Sequence, residues 1–263
     1  MNKYYFIFCK DSLLLSQADN ATGHTIPYAE EPPIAPKPWT QVLDIGPMED
    51  GSAVVAYNTD TPTVPPGHDE LAFCPLRQSY YKLPRELYLK AGKCAELLYW
   101  NRNTQFCGVC GAPMKMHTSI SKRCTQCGKE VWPQLATAVI VLIRRGHDEI
   151  FLAKGRNFKT NFYGLIAGFV ETGETLEQAV EREVMEETGM EICNLRYFGS
   201  QPWPYPSGLM VGFTADYSSG EVRLQKEEIV KGQWFRRDNL PNLPEKLSIA
   251  RMLIDSWIEE KKQ

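Results

Sequence analysis

Three glutamates, Glu183, Glu186 and Glu187, stand at i, i+3 and i+4 within a run from Glu171 to Glu191 that carries eight glutamates and one basic residue, Arg182. On a helix this spacing brings three carboxylates into one small volume. Each residue turns the helix by about 100°, so Glu183 and Glu187 fall within about 20° of the line through Leu176 and Val180. They therefore continue the apolar, inward-facing stripe, whereas a merely solvated charge run would lie on the opposite face. Carboxylates turned toward the body of a protein need cationic partners, and hard divalent ions with oxygen ligands are the natural ones.

Two further sets of residues carry chemistry. Cys107-x2-Cys110 and Cys124-x2-Cys127, each pair followed by a glycine (Gly111, Gly128), have the spacing of a tetrahedral thiolate site for Zn²⁺. Four thiolates close the coordination sphere and leave no position for a reacting water, so this zinc is read as structural. The other four of the eight cysteines, Cys9, Cys74, Cys94 and Cys193, are scattered and read as buried free thiols. The stretch Ser200 to Gly208, SQPWPYPSG, alternates prolines with aromatics. Proline breaks both helix and ladder, so the stretch is expected to be a stiff loop presenting flat rings.

The elements around these sets are legible from pattern. Gly168 and Gly173 permit a tight loop before the acidic helix, Thr175 with acidic Glu177 suits its start, and Gly189 its stop. LATAVIVLIRR and EIFLAKG read as strands paired around a turn at Gly146–Asp148. LRYFGSQPW, GLMVGFTADY and GQWFRR read as further strands, and a closing helix is expected from about Leu247 to Lys261. Upstream, YYFIF, QVLDIG and SAVVAYN are strand-like between proline-rich turns, and Pro84 to Trp100 is helical in spacing. This predicts an N-terminal α+β domain (1–104), a zinc ribbon (105–131) and a catalytic α/β/α sandwich with a mixed sheet (132–263), α+β in class as a whole. With 263 residues, 43% apolar, 23% charged and a net charge of −3, the chain has no whole-protein pull toward nucleic acid or membrane. No apolar run approaches the ~18 residues of a membrane span, and the expected location is cytoplasmic. The ribbon's Lys115, Lys122, Arg123 and Lys129 are few for a nucleic-acid reader.

The acidic stretch also resembles the signature of the Nudix hydrolases, G-x5-E-x7-R-E-U-x-E-E-x-G-U with U a bulky aliphatic residue. Gly168, Glu174, Arg182, Glu183, Val184, Glu186, Glu187, Gly189 and Met190 match every fixed position. The loop from Ser200 to Pro206, with Tyr205 at the variable place, resembles the SQPWPxPxS signature of the NADH pyrophosphatase branch of that family, the NAD-capped RNA hydrolases. It departs at the last position, where Gly208 replaces serine and Ser207 stands one place early. The order of N-terminal domain, four-cysteine ribbon, acidic helix and loop is similar to that branch over nearly the whole chain.

The resemblance implies hydrolysis of the NAD(H) diphosphate to AMP and nicotinamide mononucleotide, removal of 5′-NAD caps from RNA, and a homodimer. It implies that Glu183, Glu186 and Glu187 are the catalytic carboxylates. Mg²⁺ or Mn²⁺ would be held by Glu183, Glu187, the Ala167 carbonyl and Glu228, with Glu227 an adjacent rival to Glu228. Either Glu187 or Glu183 would orient the attacking water, and Arg182 would hold a carboxylate such as Glu174. Phe169 and Trp132 would sandwich a ring of the dinucleotide. The family usually has tyrosine in place of Trp132, so this chain keeps the stacking face and changes the polar edge. Gln201, Pro202, Trp203, Pro204, Tyr205, Pro206, Ser207 and Gly208 would line the nucleotide, Ala250 would touch it through backbone, and Arg77 would reach it from the N-terminal domain. The alternatives are a Nudix hydrolase of another diphosphate, such as ADP-ribose or a dinucleoside polyphosphate, or a zinc-ribbon module that senses nucleotide without catalysis.

Overall fold

A computed structural model describes residues 1–19, 21–156 and 161–260. The chain divides into two compact units, Met1–Gln134 with Pro204–Ser207, and Leu135–Trp203 with residues from Gly208 onward.

In the first unit the strands are β1 (Lys3–Cys9), β2 (Ser12–Gln17), β3 (His24–Thr25), β4 (Tyr28–Ala29), β5 (Leu43–Ile45), β6 (Ala53–Asn58) and β7 (Leu71–Pro75). They form one sheet in the order β3-β2-β1-β6-β5, with β4 on β1 and β7 on β2. β1 and β6 run parallel, whereas β1 and β2 are antiparallel. Alternation along β1 sends Phe6 and Phe8 to one face and Tyr5 and Ile7 to the other. The first face is covered by α1 (Leu76–Ser79) and α2 (Arg85–Asn103), which buries Leu87, Ala91, Cys94 and Leu98. Cys9, Cys74 and Cys94 are buried free thiols, as expected, but Cys193 is exposed.

The ribbon, β8 (Met114–Thr118), β9 (Ser121–Cys124) and β10 (Glu130–Val131), is a three-stranded antiparallel sheet. Lys122 on β9 is only 2% exposed. Its ammonium donates to the Asn101 and Thr104 carbonyls at 2.8 Å each, satisfying the carboxyl end of α2. Burial pushes its pKa down. One of the four ribbon cations is thus a helix cap.

The second unit has β11 (Ala136–Arg145), β12 (Glu149–Gly155), β13 (Ile166–Phe169), α3 (Leu176–Thr188), β14 (Glu191–Pro202), β15 (Gly208–Ser219), β16 (Ile229–Arg236) and α4 (Ile249–Glu259). The sheet order is β14-β15-β11-β12-β16, with β13 on β11. It is mixed: β11 and β15 are parallel and the other pairs antiparallel. Along β11, Val139, Val141 and Ile143 join a core with Ala179, Val180 and Val184 of α3. Ile140 and Leu142 join the opposite core with Leu253, Ile254 and Trp257 of α4. This is the expected α/β/α sandwich. The last helix stops at Glu259, and the expected end at Lys261 lies outside the described residues.

The strand expected over LRYFGSQPW holds through Pro202, and the loop expected from Ser200 begins only at Trp203: Gln201 and Pro202 still pair with Met210 and Leu209. β14 is the edge strand, so a proline whose missing N–H faces the open side costs the sheet nothing. The prolines break the ladder only from Trp203 on. No helix among the described residues is long and apolar enough to cross a membrane.

Candidate active site

The acidic helix is delimited by its own sequence. Thr175 and Gln178 form a reciprocal capping box, with Gln178 N–H donating to Thr175 Oγ1 at 3.2 Å and Thr175 N–H donating to Gln178 Oε1 at 2.9 Å. Gly189 closes the other end with φ 70°, its N–H on the Met185 carbonyl. Between these caps Val180, Val184 and Glu187 share the buried stripe, and Glu187 is only 7% exposed.

Arg182 organises the outer edge of the site. Its guanidinium donates to both Glu174 oxygens (2.6 and 3.0 Å), to Glu183 (2.8 Å), to Glu186 (3.1 Å) and to the Phe169 carbonyl (2.9 Å). These bonds hold the Glu174 carboxyl down to about 2. Glu174 in turn accepts from the Glu171 N–H, which fixes the loop before the helix. Gly168 makes room for Glu183: a Cβ there would lie 2.0 Å from the carboxylate carbon. The glycine on β13 is therefore needed for the close approach of that side chain, not for a turn.

Glu187 is different. Its carboxyl accepts no hydrogen bond among the described residues, and burial first, then the Glu183, Glu228 and Glu186 carboxylates, push its pKa up to about 8. Burial raises Glu183 as well, against the pull of Arg182. Glu228 acts on both Glu183 and Glu187. A buried carboxyl without a donor, facing three more, is a place where the charged state needs a cation, and its oxygen donors suit a hard divalent ion.

The loop carrying Glu228 is held at both ends. The Gln225 N–H donates to the backbone carbonyl of Glu187 at 3.0 Å. At the other end Arg156 donates its backbone N–H to the Glu228 carbonyl (2.7 Å), Nε to Glu227 (3.2 Å) and Nη2 to Lys226 (2.5 Å). Nothing in the motif singles out Arg156. Its role arises from strand β12 ending beside this loop, which no spacing in the sequence announces.

Of the other expected contacts in this unit, Ala167 lies on β13 opposite Ile140 of β11. Phe169 ends β13 with its ring 65% exposed. The Gln201 amide is committed to backbone, donating to the Leu247 carbonyl and accepting from the Ile249 N–H, each at 2.7 Å. It anchors the start of α4, where Ala250 is buried. Pro202 ends β14, and Trp203 N–H donates to the Gly208 carbonyl across the loop mouth. A Cβ at Gly208 would stand 3.2 Å from the Ala136 carbonyl oxygen and 3.3 Å from that of Trp203, so the position is too tight for serine without a shift.

The middle of the loop belongs to the first unit. There Tyr205 hydroxyl meets Tyr88 hydroxyl at 3.0 Å, and the Arg77 guanidinium stacks over the Tyr205 ring at 5.8 Å. Pro204 rests on Gly92 of α2, whose Cβ would be 3.1 Å from it. Pro206 follows a cis peptide bond, and Ser207 donates to the Gln134 carbonyl at 3.1 Å. Trp132 is 53% exposed and lines a hollow of about 320 Å³ with Tyr99 and Ser207.

In the ribbon, the four cysteine sulfurs lie within 4.8 Å of one another. Cys107 and Cys127 approach to 3.6 Å and Cys110 and Cys124 to 3.4 Å. Each knuckle is turned by a left-handed glycine, Gly111 (φ 74°) or Gly128 (φ 73°). Backbone N–H groups of Cys127 and Gln126 donate to Cys124 Sγ and hold that thiol below its ordinary range, whereas the crowded neighbouring sulfurs push Cys127 up. Among the described residues this is the one group of three or more metal-ligating side chains drawn so close.

Comparison with known proteins agrees with this arrangement. Residues 134–255 match the NUDIX domain family, 2–100 the NADH pyrophosphatase-like rudimentary NUDIX domain, and 102–131 the NADH pyrophosphatase zinc ribbon domain. The NAD-capped RNA hydrolase NudC of Pseudomonas aeruginosa is 43% identical over 213 residues, covering 80% of this chain and 75% of that one. The chain belongs to the NudC family of Nudix hydrolases. NudC of Klebsiella pneumoniae is 46% identical over 175 residues, covering 65% of this chain and 67% of that one. A Nudix hydrolase structure from Nitrosomonas europaea shares the fold, with a TM-score of 0.51 at 20% identity over 60% of this chain and 92% of that one. In this NudC-family chain the four cysteines are the zinc-binding set of the ribbon, and the Nudix domain implies a divalent metal.

Proposed function

We propose that this chain hydrolyses the central diphosphate of NAD(H) to AMP and nicotinamide mononucleotide and removes 5′-NAD caps from RNA. The observation that carries the reading is the buried, donor-free Glu187 carboxyl among Glu183, Glu186 and Glu228, in a chain of the NudC family. Glu183, Glu187, Glu228 and the Ala167 carbonyl would hold Mg²⁺ or Mn²⁺. Such ions, when bound, lower the pKa of water and neutralise charge on the diphosphate. The chain's own residues do the rest. Arg182 keeps Glu183 and Glu186 in place from outside, and Gly168 lets Glu183 reach inward. Arg156 and the Glu187 carbonyl fix the loop that aims Glu228. Glu187 or Glu183 orients the attacking water.

The recognition layer comprises Phe169 and Trp132 for a ring face and the loop from Gln201 to Gly208 with Arg77 and Ala250 for the nucleotide. Within it, Gln201 and Ser207 act by shaping backbone, because their polar atoms are already engaged. A division into 1–104, 105–131 and 132–263, a homodimer and a cytoplasmic location complete the proposal. HPLC of the products from NADH, NAD⁺ and NAD-capped RNA at matched concentrations with Mn²⁺ tests it. AMP and nicotinamide mononucleotide should accumulate, and turnover of ADP-ribose equal to or better than NADH would overturn it.

A further inference from the structure

Three hollows in the first unit adjoin one another. The first, about 320 Å³, contains Trp132, Ser207 and Tyr99. The second, about 480 Å³, shares Tyr99 and adds Tyr205, Lys10 and Arg102. The third, about 290 Å³, shares Arg102 and Asn58 with the second and is closed by Trp39. Each volume is of small-ligand size. Exposed rings recur along the line, with Trp39 as much as 73% exposed.

The polar groups beside the rings are available. Among the described residues the Lys10 ammonium and the Asn58 amide have no hydrogen-bond or ion-pair partner, and Arg102 has only the Tyr99 ring, at 6.0 Å. Asp60 is offset by Lys37 at 3.5 Å, so Lys10 and Arg102 outweigh the remaining acid, Asp11. Lys10 also sits at φ 52° in the two-residue turn between β1 and β2, where Asn or Gly would be unstrained. That turn places an ammonium at the edge of the second hollow.

Cations interleaved with open aromatic faces along a groove are the physical requirements for holding single-stranded nucleic acid: the rings stack bases of any identity and the cations meet the phosphates. We propose that the three hollows are the path of the RNA chain that follows the cap, with Tyr99 and Trp39 as stacking faces and Arg102 and Lys10 as phosphate contacts. This rests on capped RNA being a substrate, and it adds residues that NADH alone never meets.

The test uses the full zinc-loaded chain with NADH and with NAD-capped oligonucleotides of increasing length. For the parent, KM should fall as the first nucleotides are added and then level off once the hollows are filled. Trp39→Ala and Arg102→Gln should each raise KM for a capped hexamer about tenfold, the scale of one lost base stack or phosphate contact, while NADH kinetics stay unchanged. Trp39→Phe should restore most of the loss. Arg102→Gln should also flatten the salt dependence of log KM by about 0.7, one counterion's share on a single strand. A parent that cleaves capped oligomers with a KM indifferent to chain length, Trp39 and Arg102 overturns the path alone. A parent that cleaves NADH and no capped oligomer overturns the RNA arm of the proposed function together with the path.

Discussion

In the first unit the parallel pair β1–β6 is extended by the hairpin β1–β2, and in the second the parallel pair β11–β15 is extended by the hairpin β11–β12. Each sheet packs a helix on one face, α2 or α3, and the second adds α4 on the other. The helices differ in what they carry. α3 presents Glu183 and the buried Glu187 along its inward edge, with Glu186 exposed beside them, whereas α2 fills the matching stripe with Leu87, Ala91, Cys94 and Leu98. A missing Cβ serves each differently, for Gly168 admits a carboxylate and Gly92 admits Pro204 of the loop. The scaffold alone therefore confers no chemistry. Under the proposed function, oxygen ligands at i, i+3 and i+4, with a glycine opposite, would confer it.

The sharpest way to break this contrast is Glu187→Gln, which keeps shape and removes charge. NADH turnover measured by HPLC should fall about 10²- to 10⁴-fold, the range for losing a group that acts on the reacting water. Glu86→Gln, on α2, should leave it unchanged. Comparable rates for the two variants would mean that the acidic helix is not where the chemistry lies.

Gly168→Ala comes next. The obstructed atoms are the far end of a flexible side chain, so the melting temperature should barely move while turnover falls about 10²-fold through displacement of Glu183. Gly92→Ala should show the reverse emphasis, with kcat kept and KM raised as Pro204 gives way. Arg156→Ala should weaken Mn²⁺ binding, read by titration calorimetry, about 10- to 100-fold, as loss of outer support for a ligand does. An unchanged Mn²⁺ affinity would show that the Gln225 anchor alone holds the loop.

Zinc removal should act on the ribbon. Metal analysis should find about one tightly held Zn²⁺ per chain, and stripping it should release the four thiols to a thiol reagent and loosen the ribbon. The smallest effect concerns pH. Glu174 is held down to about 2 by Arg182, below its ordinary 4.5, so its contribution to stability is complete above the ordinary value and lost as pH falls toward 2. Glu174→Gln should flatten the melting temperature against pH over that acid window, and a variant with the parent's slope would remove this pair from the account.

Much of the candidate site is legible in the sequence, for local physical reasons. The acidic helix announced its inward face through periodicity, its start through Thr175 and its end through Gly189, and the two cysteine pairs announced the zinc site. Other features were opaque because their partners are distant in sequence. Gln201 reads as a substrate contact in the motif, yet its amide holds residues 247 and 249. Lys122 reads only as one of four ribbon cations, yet it caps α2. Strand patterning and proline content gave overlapping readings of Ser200–Trp203, and the place where strand yields to loop depended on β14 being an edge strand.

By itself the sequence determined what its local spacing can encode: the helix, its caps, the knuckles and the ligand types. Tertiary structure decided that the Glu228 carboxylate lies close enough to raise Glu183 and Glu187, that Arg156 would hold its loop, and that Arg77 would lie over Tyr205. Those outcomes depend on how strands far apart in the chain are brought together. Hydrogen bonds and close packing across such distances follow from the assembled sheet, and no local periodicity carries them.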